Sequence, residues 1–456
     1  MNICIVGAGT YGSYIAKCLC EKNSNVNITI LEVGDKNIRN ESQIGFYSKI
    51  FGDKYKGLSF GRYFGLGGTS SKWGGQILTF SRFDFEMPNK FLREIININE
   101  KYKYKIHNRF DIPLPNHESK IGDNLLIKSG IWLSVFKRNL FIYFKISKLK
   151  NIKIITHTRV IKLIKNFNQF NIIEYTYNDK IFSKQFDFIF LACGAFESSR
   201  ILLASNLLQN NEVNFSDHLS KKYCTIIGST KIANEDFVFK LNKFSLLTKR
   251  IIGEQDNVSF YLHPVYNHKF KFFEKIKLIL FSNSFNFIYL FKFIFYTLIE
   301  FPIFLKFIFS IIFRKRILVL NNSWDLYLDI ENPNFKNTIK LSLEKDKMGI
   351  NGLDINYLIS DVTSDIISKI EDRIDAYLND NNVKYIKDFN NVDTKTLEDI
   401  YHPFRMFEFK DINDYYTRYN KLLIVNTGIL PRSGGINPTG ALFPIIEDFI
   451  TNHIEL

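Results

Sequence analysis

The chain has 456 residues, enough for two domains with a sizeable core. It carries 60 Lys and Arg against 46 Asp and Glu, and this charge of +14 favours anionic surfaces as partners. No homeodomain, zinc-finger or RNA-binding signature accompanies the charge, so we expect no nucleic-acid partner. The five cysteines form no CxxC pair, and a strand starting at Asn2 leaves no room for a secretion signal. We therefore expect reduced thiols in the cytoplasm.

The first 35 residues read as a strand, a tight turn, a helix and a second strand. Apolar Ile3 to Val6 leads into GAGTYG, where Gly7 suits a tight turn, Gly9 lets the backbone approach a pyrophosphate and Gly12 allows close helix packing. Glu32 ends the second strand, where a carboxylate can accept hydrogen bonds from a ribose. The pattern predicts a dinucleotide site. A glycine-rich turn in an unrelated α/β protein is the alternative, and FAD and NAD are not distinguished.

Three later segments have the same strand-and-loop character. In Gly61–Gly75, six of fifteen residues are glycine, which suits a backbone that lies against a large flat ligand. Apolar Phe186 to Leu191 predict a buried strand, followed by a break at Gly194 and a helix from Glu197 to Leu203. The C-terminal KLLIVNTGILPRSGGINPTGALFPIIEDFITNHI repeats the order of strand, loop and helix. We expect all of these segments to meet at one cofactor.

These pieces resemble the glucose-methanol-choline (GMC) family of FAD-dependent oxidoreductases. The matching motifs, in family order, are GAGTYG with Glu32, GLGGTSSKWGG, ACGAFESSRILL, FSDHL, ENPNFKNTIKLS with KDKMGINGLDINY, and GGINPTGALF. The resemblance implies an α/β fold whose Rossmann-like FAD-binding domain is assembled from residues 1–90, 150–230 and 415–456. It also implies a substrate-side or lid segment at 91–149 and an α+β substrate domain with an antiparallel sheet at 231–414. ENPNFKNTIKLS and LDINYLI are expected as strands of that sheet, with a helix over Ser364–Leu378 beneath it.

The resemblance also implies which residues hold FAD. In the family, the first glycine cluster holds the pyrophosphate, the acid at the Glu32 position binds the adenosine ribose, and the Val160 position meets adenine through its backbone. The implied cofactor residues are Gly7, Gly9, Thr10, Tyr11, Gly12, Glu32, Gly67, Gly68, Thr69, Ser70, Trp73, Gly74, Val160, Ala192, Gly194, Asn426, Thr427, Asn437, Pro438 and Thr439. Some relatives attach the flavin covalently through a histidine in the glycine-rich loop that corresponds to GLGGTSSKWGG. Lys72 stands at the position of that histidine, so noncovalent FAD is expected.

The family's catalytic pair is a histidine followed by a histidine or asparagine, and His402 and Asn437 match these positions. A neutral imidazole can accept the proton of a substrate hydroxyl, while an amide can donate to the developing alkoxide. The alternatives are an ordinary surface or core histidine and an Asn-Pro turn. Relatives commonly have Gly-Thr after the histidine and two further residues, and here Phe404 leads straight to Arg405, so a different backbone is expected. His218 matches a motif near the domain junction and is expected to be structural.

Residues 269–316 are the least family-like part of the chain. They hold fourteen phenylalanines and nine Lys or Arg against two Glu, and their longest uncharged run, Leu278–Phe291, is short of a membrane-spanning helix. Phe287, Phe291, Phe295 and Leu298 would share one helical face. Two ordinary helices packed on the substrate domain are one interpretation. The other is a surface whose aromatic side chains enter one leaflet of a membrane while lysines and arginines meet anionic phosphates.

The resemblance implies oxidation of a CH–OH group of an alcohol or sugar, free or lipid-linked, to a carbonyl with reduction of FAD. A dehydrogenase with an undetermined electron acceptor is favoured over an oxidase, in the cytoplasm or at the inner face of the membrane. Two alternatives stay open. One is a catalytically degenerate, FAD-stabilised interaction or membrane protein, and the other is a flavoprotein that reduces or isomerises its substrate. No metal site is predicted, because the other histidines lack metal-ligand spacing.

Overall fold

The fold is a mixed α/β arrangement of several sheets with helices packed around them, as predicted. The computed structural model describes residues 1–114, 118–121, 125–166, 169–208, 210–228, 239–242, 245–281, 287–320, 323–360, 362–387 and 396–455. The predicted boundary at 230 and 231 and part of the aromatic segment, 282–286, lie outside these residues. Strands are numbered β1 to β24 and helices α1 to α13 along the described chain.

A parallel five-stranded sheet organises the N-terminal, middle and C-terminal segments. Its strands are β1 (Asn2–Val6), β2 (Asn27–Leu31), β9 (Ile152–Ile155), β13 (Phe188–Leu191) and β24 (Leu422–Ile424), in the order β24-β13-β1-β2-β9. The central strand β1 pairs in parallel with both β2 and β13. Continuous apolar runs suit these strands, because helices cover both faces of such a sheet. The strand, helix and strand predicted at the N-terminus are confirmed, with α1 (Thr10–Lys22) between β1 and β2.

The helices around this sheet come from distant parts of the chain. They are α4 (Lys90–Phe110), α7 (Ala195–Ala204), α12 (Ile412–Thr417) and α13 (Leu442–Asn452), with the short α2 (Glu41–Ile44), α3 (Gly57–Phe60), α5 (Val135–Arg138) and α6 (Leu140–Tyr143). The Tyr14 hydroxyl on α1 donates to Glu447 on α13 at 2.8 Å, and Asn99 on α4 donates to the Ala441 carbonyl at 3.0 Å. These buried bonds fix the C-terminal helix against the first one.

An antiparallel sheet of ten strands stands beside the parallel one. Its strands are β6 (Gln76–Ile77), β7 (Ser119–Ile121), β8 (Leu125–Trp132), β15 (His218–Ile226), β16 (Lys240–Asn242), β17 (Ser245–Gln255), β18 (Val258–Val265), β19 (Trp324–Glu331), β22 (Tyr385–Lys387) and β23 (Glu398–Asp399). Strands β17, β18 and β19 are neighbours in sequence order. Between β18 and β19 the chain forms α8 (Lys271–Phe281), α9 (Phe287–Ile299) and α10 (Phe301–Arg314).

The strands predicted from ENPNFKNTIKLS and LDINYLI form, but in a different sheet. They are β20 (Asn337–Lys345) and β21 (Asn351–Tyr357), which pair antiparallel in a four-stranded sheet of order β14-β20-β21-β4. The outer strands are β14 (Val213–Phe215) and β4 (Ser48–Gly52), and β4 runs parallel to β21. The expectation that both strands belong to the substrate sheet was therefore wrong. Strand propensity identifies a strand but not its partner, which here is an edge from a distant segment.

The predicted helix over Ser364–Leu378 is confirmed as α11 (Thr363–Asp380), and it packs on the ten-stranded sheet. The Tyr385 hydroxyl on β22 donates to Asp375 at 2.8 Å, and Arg373 donates to the Glu254 carbonyl at 2.7 Å. A meander of β10 (Arg159–Asn166), β11 (Gln169–Tyr177) and β12 (Lys180–Gln185) lies between β9 and β13 in the chain. The strands β3 (Arg39–Asn40) and β5 (Tyr63–Phe64) form a small pair.

Candidate active site

A cavity of about 570 Å³ opens at the carboxyl ends of the parallel strands and reaches the ten-stranded sheet. Val6, Leu31, Ala192 and Asn426 line it, each at or just beyond the end of a parallel strand. This edge of an open α/β sheet is where ligands bind, because the strand ends leave a crevice there. The antiparallel sheet closes the far end of the cavity with residues of β15, β17, β18 and β19.

The first glycine turn fits the role predicted for it. Gly7 has φ +100°, and a Cβ there would lie 2.7 Å from the Ala192 carbonyl oxygen. A Cβ on Gly12 would lie 1.9 Å from the Gly7 oxygen, so only glycine lets α1 pack this closely on β1. Gly9 precedes α1 and supplies no side-chain cap. Gly9, Thr10 and Tyr11 line the cavity, so the N-terminus of α1 lies at its wall, where an anion-binding helix terminus would have to be.

The second glycine loop lies directly against the first. A Cβ on Gly68 would come within 2.9 Å of Gly9 Cα, and Gly68 itself has φ +48°. The Gly67 N–H donates to the Ala8 carbonyl at 3.0 Å, and the Ser70 hydroxyl donates to the Gly67 carbonyl at 2.5 Å. These contacts place Gly68, Thr69, Trp73 and Gly74 along the cavity wall. The two loops together form a narrow backbone cradle.

Glu32 holds the ends of three loops. Its buried carboxylate accepts the N–H of Ala8 at 2.8 Å and those of Gly34 and Gly65 at 2.9 Å each. Burial raises the pKa of Glu32, and these backbone donors oppose that rise. Glu32 therefore holds these three loops together through its carboxylate. The ribose-binding role that the sequence predicts for it stays a prediction.

At the Glu32 end, the cavity wall includes a cluster of arginines and acids. The Arg159 guanidinium lies 3.5 Å from the centre of the Phe46 ring and 3.2 Å from Glu197. Arg200 donates to the backbone carbonyl of Val160, so this carbonyl is already used within the protein. Val160 lines the cavity as predicted, whereas Phe46 and Arg159 were not predicted. Their aromatic and cationic character suits an adenine-sized ring system.

The loops after β13 and β24 complete the cofactor side. Gly194 has φ +85°, and a Cβ there would meet no atom within 4 Å, so open space lies beside it. Asn426 accepts the Gly428 N–H through Oδ1 at 2.9 Å, whereas its buried Nδ2 has no partner among the residues that the structure describes. The Tyr11 hydroxyl donates to the Thr439 carbonyl at 3.2 Å. The Asn426 amide therefore offers a donor that no described residue satisfies.

His402 and Asn437 meet at the far end of the cavity. The His402 Nε2 lies 3.3 Å from the Asn437 Nδ2, and Arg250 donates to the Asn437 Oδ1 at 3.0 Å. Because Arg250 occupies the amide oxygen, the amide nitrogen must point to His402. The His402 Nε2 then accepts, and the imidazole proton belongs on Nδ1. Arg250 also donates to Gln76 and lies 4.5 Å from the centre of the Tyr261 ring.

Two buried acids hold this pair in place from behind. Asp217 Oδ1 accepts the N–H of His402 at 2.8 Å and that of His218 at 2.7 Å, and its Oδ2 accepts the Tyr55 hydroxyl. Glu331 accepts the N–H groups of Ser433 and Gly434 at 2.9 Å each and pairs with Arg432 at 2.5 Å. The loop that carries Asn437 is therefore fixed to β19. Asp217 similarly fixes the backbone of His402.

The side chain of His402 is unprotonated at neutral pH. Burial, then the neighbouring His218 and Arg250, lowers the pKa of the His402 imidazole from its ordinary 6.5 to about 3. The imidazole is consequently neutral near pH 7, where it can accept a proton. Its Nδ1 is buried and has no partner among the described residues. His218 is fully buried, and its Nε2–H donates to the Gly434 carbonyl, 2.8 Å away; its structural role stays a prediction.

The backbone after His402 takes an irregular course, as the missing Gly-Thr predicted. Tyr401 and Arg405 have φ +70° and +58°, which non-glycine residues rarely adopt. Phe404 between them exchanges backbone hydrogen bonds with Ser216 at 2.9 and 3.0 Å. The Arg405 N–H then donates to the Leu430 carbonyl at 2.8 Å. The shortened segment therefore still brings His402 to Asn437.

Several polar residues at this end were missed by sequence analysis. Tyr261 and His263 of β18 pair in register with Asp329 and Tyr327 of β19, and all four line the cavity. The His263 Nε2 lies 3.0 Å from Asp329 Oδ2. Burial acts to raise the pKa of Asp329, but His263 and hydroxyl partners lower it to about 2. Alternating residues on two adjacent strands are the one signal that could have indicated this polar wall.

The structure brings nearly all of the predicted site residues to one cavity. Gly12, Gly67, Ser70 and Pro438 do not line it and act through packing or through the loops beside it. The remaining predicted residues all line it, namely Gly7, Gly9, Thr10, Tyr11, Glu32, Gly68, Thr69, Trp73, Gly74, Val160, Ala192, Gly194, His402, Asn426, Thr427, Asn437 and Thr439. Their roles toward a cofactor and a substrate stay predictions.

The architecture and cavity define a mixed α/β protein with a fold like that of the GMC oxidoreductases. Among solved structures, the chain is similar to the crystal structure of pyridoxine 4-oxidase from Mesorbium loti, a GMC family flavoenzyme. The TM-score is 0.56 at 12% sequence identity, over 99% of each chain. No protein-family model and no curated protein sequence matches the chain. The likeness confirms the GMC-like mixed α/β fold that the motifs predicted, and the FAD-binding role of the parallel sheet stays a prediction.

Proposed function

We propose that the protein is an FAD-dependent oxidoreductase that oxidises a CH–OH group to a carbonyl. The observation that carries the proposal is the pairing of His402 Nε2 and Asn437 Nδ2, 3.3 Å apart, in the cavity that also contains the glycine cradle. One end of this cavity suits a dinucleotide, and the other suits proton abstraction from a hydroxyl. Hydride transfer from an alcohol to a flavin requires that both molecules bind in the same cavity, and the two ends of this cavity suit them.

The residues present fit FAD. The approach of Gly9 to Gly68 leaves backbone at the place where a pyrophosphate would lie, beside the N-terminus of α1. The Asn426 Nδ2, which has no partner in the described part of the chain, would donate to the cofactor. Lys72 lines the cavity where a histidine would be needed for covalent attachment. We therefore propose that FAD is held noncovalently.

The flavin, when bound, supplies hydride acceptance, and the protein supplies the proton chemistry. In the substrate complex the hydroxyl would replace the Asn437 amide as the partner of His402 Nε2. His402 would then accept the hydroxyl proton at Nε2, because its lowered pKa leaves this atom unprotonated near neutral pH. Asn437 donates from Nδ2 to the oxygen that becomes negative. Arg250 prevents the amide from turning its oxygen toward that charge. Asp217 and Glu331 keep the two backbones in place, so that little reorganisation accompanies proton transfer.

The substrate side favours a molecule with hydroxyl groups. Tyr261, His263, Tyr327 and Asp329 present donors and acceptors on one face of the sheet, and Trp132 adds an aromatic surface. A hydroxyl group can both donate and accept a hydrogen bond, so hydroxyl groups of a ligand can pair with the donors and the acceptors of this wall. A small alcohol or sugar, free or attached to a lipid, is the substrate class that we propose. The similar pyridoxine 4-oxidase is an oxidase by name, whereas our sequence prediction favours a dehydrogenase.

A spectrum of the purified protein tests cofactor binding first. We expect a yellow flavin spectrum, with the flavin released on denaturation because it is noncovalent. A folded protein without flavin would overturn the proposal. Anaerobic addition of alcohols and sugars should then bleach the flavin, and His402→Ala should abolish bleaching while His453→Ala does not. Admitting air to the reduced protein separates the acceptors, since an oxidase is reoxidised at once and a dehydrogenase needs an added carrier or quinone.

Bound flavin without bleaching by any hydroxyl donor would instead support the catalytically degenerate alternative. The control residue is suitable because His453 follows the last helix and lies outside the cavity lining. Its loss should leave the flavin spectrum and the reaction unchanged. A parallel loss of bleaching in both variants would show that the effect is not specific to the site.

A further inference from the structure

The helices α9 and α10, which we call the aromatic helix pair, expose an apolar surface. Phe287 and Phe291 on α9 are 77% and 72% exposed, and Phe313 on α10 is 70% exposed. The other large apolar residues exposed on the pair are Ile288, Ile294, Phe295, Leu298, Ile299, Phe301, Leu305, Phe309 and Ile312. Apolar patches of this extent on a protein surface mark interaction sites.

The opposite face of the pair packs on the protein. Phe307 on α10 is buried, and its ring lies 5.5 Å from that of Phe272 on α8 in an edge-to-face arrangement. Glu300, between the two helices, accepts the N–H groups of Lys271 and Phe272 at 3.2 and 3.1 Å. The segment after α10 bonds to β16, through the Leu241 N–H and the Lys315 carbonyl at 2.7 Å. The interpretation of two helices packed on the substrate domain thus applies to one face only, which lies against α8.

Cationic residues border the exposed apolar face. Lys292 on α9 and Lys306 on α10 are both exposed and lie at the edge of the apolar arc at helical spacing. Arg314 and Lys315 are exposed at the end of α10. The only acid between Phe287 and Arg316 is Glu300, which is engaged with the start of α8. An apolar face with a cationic border is complementary to acyl chains beneath anionic headgroups.

The pair lies along a surface rather than forming a straight span. No single helix in the described part of the chain is long and apolar enough to cross a membrane. The two helices reach that length and composition only together, and they are bent by 99° at their junction. Because the inner faces are packed on protein, only the outer faces are available to lipid. This arrangement is that of an interfacial anchor, in which apolar side chains enter one leaflet.

We propose that the aromatic helix pair docks the protein on the surface of an anionic lipid bilayer. The position of the pair relates this surface to the cavity. The pair lies in the connection between β18 and β19, whose Tyr261, His263, Tyr327 and Asp329 line the cavity. The docked protein would present this hairpin to the membrane side, which suits a lipid-linked or amphipathic alcohol. That the protein lies at the inner face of a membrane stays a prediction, and docking on anionic lipid would support it.

Flotation of the full-length protein with lipid vesicles tests the proposal. We expect binding to vesicles of equal parts phosphatidylglycerol and phosphatidylcholine, with weaker binding to phosphatidylcholine alone and at high salt. The pair of substitutions Phe291→Gln and Phe313→Gln should weaken binding about tenfold or more, because two exposed rings lose their place in the leaflet. Lys292→Glu with Lys306→Glu should remove the dependence on anionic lipid and on salt.

The control variants carry the same types of substitution, Phe to Gln and Lys to Glu, at exposed positions outside the aromatic helix pair. Phe136 on α5 is 80% exposed, and Lys180 on β12 is exposed, so Phe136→Gln and Lys180→Glu should leave flotation unchanged. All variants should keep their flavin spectrum, because none lines the cavity. Flotation that is absent, or equal in wild type and both pairs of variants, would overturn the proposal. A dimer that the phenylalanine variants disperse, in a protein that does not float, would assign the face to a second copy instead.

Discussion

Replacing Arg250 by methionine should lower kcat/KM and shift its pH profile. A purely structural role of Arg250 would not account for the shift. Methionine has a similar length, but it cannot donate to the Asn437 amide oxygen, now 3.0 Å from the guanidinium. The amide can then turn, so that its oxygen rather than its nitrogen faces the developing alkoxide and the hydrogen bond to that charge is lost. A hydrogen bond to a charged group contributes roughly 1.5–3 kcal/mol. If that contribution is felt in the transition state, kcat/KM should fall about 10- to 200-fold.

The same substitution should move the pH profile. Arg250 is one of the groups that lower the pKa of His402, after burial and His218. Removing its positive charge should raise that pKa toward the ordinary value of 6.5. Because the base must be unprotonated, the acid limb of kcat/KM should shift to higher pH. Rapid-mixing measurements of anaerobic flavin bleaching across the pH range give both quantities from one experiment.

Arg109→Met is the matched control for the loss of a buried arginine. Arg109 pairs with Glu447 at 2.7 Å and with Glu21 at 2.5 Å, and it does not line the cavity. This variant should lose stability and keep the wild-type pH profile. If Arg250→Met bleaches at the wild-type rate with an unmoved acid limb, then Arg250 does not orient Asn437, and the assignment of the amide is wrong.

Two further predictions concern the cofactor cradle and acid stability. Gly68→Ala should weaken FAD retention about tenfold or more, read as the flavin-to-protein absorbance ratio, because its Cβ would press on Gly9 backbone at 2.9 Å. Gly349→Ala, also at positive φ but with no atom within 4 Å, should retain FAD, and equal loss in both would count against the cradle. The pKa of His402 is lower in the folded protein than the value of 6.5 expected in the unfolded chain. As the pH falls below 6.5, the unfolded chain therefore gains a proton that the folded protein does not, and the free energy of unfolding decreases. Between about pH 7.5 and 5.5 the loss should reach about 1 kcal/mol in denaturant titrations, and His402→Asn, but not His453→Asn, should reduce this slope.

The cofactor side could be predicted from sequence because its requirements are local. The turn at Gly7, the packing of Gly12 and the acid at Glu32 fall within one strand-helix-strand unit, where short-range sterics and helix geometry leave few residue choices. The buried strand before Gly194 and the helix after it are equally local. Their observed bounds differ from the predicted ones by only a few residues.

The substrate side could not be predicted in the same way, because its residues depend on pairings between distant strands. Arg250 reaches Asn437 across 187 positions of sequence, and nothing near either residue indicates the contact. The pairing of β21 with β4 likewise joins residues about 300 positions apart, and this is why its sheet was assigned wrongly. His402 was identified from its order relative to the glycine motifs, although Asp217, which holds its backbone, was not identified.

The three hydrogen bonds to Glu32 have a consequence for cofactor selectivity. In dinucleotide-binding proteins, the acid at the end of the second strand is the position where a change of residue admits a cofactor phosphorylated on the ribose. Here the same carboxylate also joins the loops at Ala8, Gly34 and Gly65. A substitution of Glu32 would therefore also remove the bonds that its carboxylate makes to these loops, and the Gly67 N–H bond to the Ala8 carbonyl would be left to join the two glycine loops. A change of residue at this position thus acts on the cradle as well as on any bound ribose.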